Sequence, residues 1–119
     1  MSFVYLASPY TPTGAETIAD RVEAARKFAA QLMLEGYNVF SPVAHSHHIA
    51  DHMDEALRLD HEFWMKQSLA FVGCCNKLIV LRLPGWERSR GIAAEIKKAQ
   101  GLCIPVEYRD PPFDISERQ

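Results

Sequence analysis

The chain has 119 residues, 48% of them hydrophobic and 24% charged, which is room for one domain with its own core and excludes a disordered or collagen-like polymer. Thirteen Lys and Arg against fifteen Asp and Glu give a formal charge of −2, so no basic excess points to a nucleic-acid polymer. Three cysteines, two of them adjacent, form no disulfide framework. The opening Met1-Ser2-Phe3 does not read as a signal peptide, and the longest nearly apolar stretch, 68–75, is far below the ~20 residues that span a bilayer. A cytoplasmic protein with no membrane partner is expected.

In chain order, residues 2–7 (SFVYLA) read as a short strand buried on both faces and stopped by Ser8-Pro9-Tyr10. Residues 16–35 carry Ile18, Val22, Ala25, Ala29 and Leu32 at helical spacing, ended by Gly36 as a left-handed cap. Residues 37–40 form a second strand. Residues 44–59 are polar, hold four of the five histidines and mix loop with short helix. A helix is predicted over 60–75, a strand over 77–83, a helix over 89–100 and a last strand over 102–108, where Pro105 suggests an edge position. The remainder, 109–119, is a polar tail expected to be extended.

Alternating strands and helices predict an α/β fold, a flavodoxin-like or Rossmann-like three-layer sandwich over 1–108. Its parallel sheet would have four to five strands in the order 2-1-3-4. Ligands in such sheets bind beyond the carboxyl ends of the strands where the order reverses, here between the first and third strands. The loops after Ala7 and after Leu83 meet there.

The second of these loops holds Trp86, Arg88, Ser89, Arg90 and Gly91. Ser89 suits an N-cap, Gly91 admits close backbone approach, and free amides at a helix start attract anions. An ordinary capped helix explains the same residues. Glu95 lies about 60° from Ile92 on the helical wheel, so it flanks the apolar stripe. It either reaches the crevice or pairs with Lys98 at the surface. Tyr5 would stand beside Glu95 if the two strands are neighbours; a core tyrosine with a satisfied hydroxyl is the alternative. His45, His47, His48, His52 and Asp51 invite a metal-dependent hydrolase reading, but there is no HExxH, and the adjacent His47 and His48 do not readily face one ion. Cys74 and Cys75 read as small buried hydrophobes.

Three stretches together resemble the nucleoside 2-deoxyribosyltransferase-like superfamily: residues 4–9 (VYLASP), 39–42 (VFSP) and 85–95 (GWERSRGIAAE). Within it, the SPYT opening and GWxxSxG loop are similar to a small bacterial and phage family. The resemblance implies that Glu95 is a nucleophile attacking the anomeric carbon of a 2-deoxyribosyl group, with Tyr5 orienting it. Ser89 resembles the residue that holds the phosphate in 2'-deoxynucleoside 5'-phosphate N-hydrolases. Ser8, Pro9, Tyr10, Arg90 and Gly91 would complete the phosphate and sugar contacts, and Trp86 would stack on the base. No cofactor or metal is implied, the partner is a small nucleotide or nucleoside, and self-association is expected.

One departure from that pattern bears on turnover. Where the family has an aspartate two turns before the third strand, this chain has Ser68, with Gln67 beside it. Asp60 is the substitute acid, ahead of Asp54 or a loop histidine. The rival expectation is therefore a nucleotide-binding module that senses without cleaving.

Overall fold

The computed structural model describes residues 2–12, 14 and 16–113. β1 (Val4–Ala7) leads through a loop to α1 (Ile18–Leu34), then β2 (Val39–Phe40). Three short pieces follow: α2 (Pro42–Ser46), a 3-10 turn (Ile49–His52) and α3 (Glu55–Arg58). α4 (His61–Val72), β3 (Lys77–Leu81), a 3-10 turn (Trp86–Arg88), α5 (Arg90–Gly101) and β4 (Val106–Arg109) complete the fold.

All pairings are parallel and the order is β2-β1-β3-β4, as the strand pattern predicts, with four strands. β1 is central because every residue in it is buried on both sides. Alternation then divides the core. Val4, Leu6, Ile79 and Leu81 face Phe28, Ala29 and Leu32 of α1, whereas Tyr5, Ala7, Leu78 and Val80 face Val72, Ile92 and Ala99 on the α4 and α5 side. This parity sends Tyr5 to the layer that carries Glu95. In the register Tyr5 stands opposite Leu78, and Ala7 opposite Val80.

The helix ends follow from their residues. Thr17 and Asp20 form a reciprocal capping box at the start of α1. At its other end Gly36, with φ 105°, gives its amide to Met33 while Tyr37 gives its own to Leu32, the double bond of a Schellman turn. α5 ends the same way but not where Gly101 suggests. The helix runs through Gly101, and Cys103 takes the left-handed position at φ 59°. Its amide reaches Gln100 and that of Ile104 reaches Ala99.

β4 begins four residues later than the apolar run predicts, because the turn after α5 consumes 102–105. It also runs one residue further, so Arg109 belongs to the edge strand, opposite Leu81. Pro105 contributes only its carbonyl, to the Leu78 amide, as an edge position allows. Phe113 packs against the α1-side core, so the first residues after β4 are docked; 114–119 lie outside the described residues. Among the described residues no helix is long and apolar enough to cross a membrane.

Candidate active site

α5 packs against the sheet through Ile92 and Ala99, and the same geometry turns Glu95 inward. Glu95 is only 5% exposed, and the hydroxyl of the fully buried Tyr5 donates to its Oε2. Among the described residues this is the carboxylate's only hydrogen bond. Burial pushes the Glu95 carboxyl up to about 7, Tyr5 works against that rise, and no cation contributes. The same burial, with Glu95 beside it, pushes the Tyr5 phenol well above its ordinary range. The pair therefore shares a low-dielectric spot in which Tyr5 stays a donor throughout ordinary pH.

Ser68 of α4 interacts through its side chain with the Tyr5 phenol and opposes the rise. The residue standing where an acid was expected is thus at the site as a hydroxyl. Ser68 also lines a cavity of about 210 Å³ with Phe40, His45, Trp64, Gln67 and Phe71. Phe40 and Phe71 stack at 4.1 Å and 10°, and the Phe40 ring also lies 5.9 Å from Tyr5. A cavity below the roughly 300–1,000 Å³ of whole-ligand sites, walled by flat rings, suits one aromatic ring system.

At the start of α5, Ser89 is the N-cap, accepting the Ile92 amide at 3.2 Å. Six residues at 1.5 Å each put Glu95 about 9 Å further along the helix, and helical side chains tilt back toward that N-terminus. Across the switch, Ser8 follows β1 at 7% exposure, and its Oγ has no hydrogen-bond partner among the described residues. An unpartnered buried hydroxyl costs on the order of 1–3 kcal/mol, so its persistence marks a place where a polar ligand would be welcome. Pro9 beside it is buried. Gly91 has an ordinary backbone, and an added Cβ would meet Ser89 Oγ at 3.8 Å and Met65 at 4.0 Å, in ordinary contact. Arg88 and Arg90 are exposed at the loop.

Several expected residues stand elsewhere. Asp60 is exposed and caps α4 by accepting the Glu62 and Phe63 amides. Eight helical residues, about 12 Å, separate it from Ser68, so the register does not bring it to Glu95. Trp86 lies on the β4 side, 5.5 Å from the Tyr108 ring, and is not among the residues around the Phe40–Phe71 cavity. Tyr10 is half-exposed and pairs with His47 Nδ1 at 2.8 Å. The histidines diverge: His45 packs on Phe40, His47 meets Tyr10, and His48 lies 3.6 Å from Asp51. Among the described residues, no three His, Cys, Asp or Glu gather as a metal site. Cys75 is buried as expected, while Cys74 is exposed.

The sequence reading passed over Arg21. It is fully buried, ion-paired with Glu16, and donates to the Pro84 carbonyl at 2.7 Å. This ties α1 to the loop that carries Ser89. Its place on the wheel, between Phe28 and Leu32 on the buried face, was the signal available. No curated protein matches the sequence. A family model described as a domain of unknown function (DUF1937) matches residues 2–109, nearly all of this domain, and the chain belongs to that family.

Proposed function

We propose that the chain cleaves, or transfers between acceptors, the N-glycosidic bond of a 2'-deoxynucleotide-like substrate, with Glu95 as nucleophile. The observation that carries the reading is the buried Tyr5–Glu95 pair beside a ring-walled cavity. A carboxylate is the group that stabilises an oxocarbenium-like transition state and can form a glycosyl ester on the way. In this reading the sugar lies over Glu95 and the base enters the cavity that the stacked Phe40–Phe71 pair lines together with Trp64 and Gln67. The phosphate meets the Ser89 end of α5 and the Ser8 hydroxyl, a span of about 9 Å or less that a sugar and its phosphate can bridge. Tyr5 holds the carboxylate in one orientation and, as a donor, limits the rise that burial imposes on it. The resemblance to the deoxyribosyltransferase-like superfamily supports the same roles for Glu95, Tyr5 and Ser89, and its expectation of self-association is open to light scattering.

Incubation with deoxynucleoside 5'-monophosphates, followed by chromatography for free base, tests the proposal. Glu95→Ala should lower release by more than ~10³-fold, about 4 kcal/mol of transition-state stabilisation. Release that continues unchanged in Glu95→Ala removes Glu95 from the chemistry.

A second reading is favoured by Ser68, a hydroxyl where a proton donor would stand: a module that binds nucleotide and does not turn it over. Calorimetry showing binding, with no product after prolonged incubation, selects it.

A further inference from the structure

Cleaving a neutral nucleoside leaves a requirement that the residues around the cavity answer poorly. A neutral base departs with the bonding electron pair and needs a proton, a contribution of ~10²–10⁴-fold when a positioned acid supplies it. The α4 side chain at the Tyr5–Glu95 pair is the Ser68 hydroxyl. Around the cavity no Asp, Glu, Lys or Arg is found among the described residues; its polar groups are His45, Ser46, Gln67 and Ser68. Glu95 itself is buried with no cation to balance it among the described residues. Phe40, Phe71 and Trp64 present aromatic rings to the same space.

Resting on the Glu95 reading above, we infer that the preferred substrate is a cationic N-glycoside, one whose glycosidic nitrogen belongs to an aromatic ring already carrying positive charge, such as an N7-alkylated purine or a pyridinium. Such a ring leaves without an acid. Glu95 Oε attacks the anomeric carbon as the C–N bond breaks, and the bonding pair passes to the ring nitrogen and neutralises the departing heterocycle. Water then attacks the anomeric carbon of the glycosyl ester, the ester C–O bond breaks, Glu95 leaves as carboxylate, and the water proton goes to solvent. The Phe40 and Phe71 faces are turned to one another, so the attraction comes from Glu95: the cation supplies the counter-charge that the carboxylate lacks among the described residues.

The experiment compares 2'-deoxyguanosine 5'-monophosphate with its N7-methyl derivative, using the full chain and Glu95→Gln. Each rate is taken relative to that compound's own spontaneous loss of base. The expected result is that the methylated nucleotide gains ~100-fold more acceleration than the neutral one, and that Glu95→Gln abolishes the gain. Its pH profile should rise through one acidic limb and stay level on the alkaline side. The groups facing Glu95 or its cavity are Tyr5 from β1, Cys75 after α4 and His45 from α2. Equal or greater acceleration of the neutral nucleotide, dependent on Glu95 and carrying an alkaline limb that His45→Gln removes, overturns the cationic assignment and leaves the glycosidic reading standing. Release from neither compound above the Glu95→Gln background removes both.

Discussion

On the edge strand, Glu107 lies between Lys77 and Arg109, 2.6 Å from each, and Arg109 reaches on to Glu35 at 3.1 Å. On α5, Glu95 has a phenol and, among the described residues, no cation. The first carboxylate is held below its ordinary range by Lys77 and then Arg109, the second is raised to about 7 by burial. Both glutamates satisfy a hydrogen bond, so the difference lies in charge compensation. A glutamate neutralised twice by its own fold helps hold an edge strand to the sheet and to the end of α1. One buried without a counter-charge costs stability, and its retention is understood when a ligand or transition state brings the positive charge.

The contrast breaks first, and by the largest amount, on stability against pH. The folded state keeps Glu95 protonated up to about 7, whereas the unfolded chain ionises it near 4.5. Between those values the unfolded state binds fewer protons, so stability falls as pH rises, and the loss levels off above about 7. The shift corresponds to about 3 kcal/mol. Glu95→Gln should therefore be more stable than the natural chain by about that amount at pH 8 and nearly equal to it at pH 4, read from urea unfolding at the two pH values. An advantage of the same size at both would show that Glu95 does not carry an uncompensated charge.

Tyr5→Phe sharpens the same side of the comparison by a smaller step. Among the described residues it removes the only group that favours the Glu95 carboxylate, a charge-assisted hydrogen bond worth ~1.5–3 kcal/mol, so the carboxyl should titrate higher than about 7. Carbon-13 NMR of the glutamate carboxyls reads this without any substrate. A Glu95 that titrates at or below its natural value in Tyr5→Phe would mean that the phenol does not act on it.

How much of this was legible depended on how local the signal was. The sheet order followed from four apolar runs separated by helical spacing, whereas the angle of Glu95 to Ile92 left it open between the crevice and a surface pair with Lys98. The partnership with Tyr5 came from the resemblance, while the residues alone left a satisfied core tyrosine open; strand parity, seen in the fold, sends Tyr5 to the Glu95 layer. What escaped was set by distant packing. Nothing near Phe40 announces that Phe71, 31 positions on, will stack against it and close a cavity. Asp60 was read as an acid through its residue type, but it sits at the start of α4 and its oxygen serves the helix amides. The resemblance gave Trp86 to the base, yet the turn after Gly85, itself at φ 86°, carries the ring toward Tyr108. At the end of α5 the left-handed turn falls on Cys103, two residues beyond Gly101, the residue type that ordinarily takes it.

The smallest expected effect tests the paired side. Lys77→Met removes one of the two cations on Glu107 and keeps the stem of the side chain over Tyr37, where the ammonium now sits 5.5 Å from the ring. Lys77 and Glu107 are each about a third exposed, and Arg109 remains, so the loss should stay below ~1 kcal/mol. Its sign against pH is opposite to that of Glu95. A carboxyl held low contributes stability that is present above its ordinary value and is lost as pH falls through the folded value, so the difference between Lys77→Met and the natural chain should close on acidification. It should also shrink in ~1 M salt, because partly exposed charges are screened, whereas the Glu95→Gln difference, set by burial, should persist. Unfolding of both variants at low and high salt reads the two behaviours side by side. A Lys77→Met deficit as large as the Glu95→Gln gain and equally insensitive to salt would mean that both carboxylates answer to burial, and the distinction drawn between a structural and a functional glutamate would lose its physical basis.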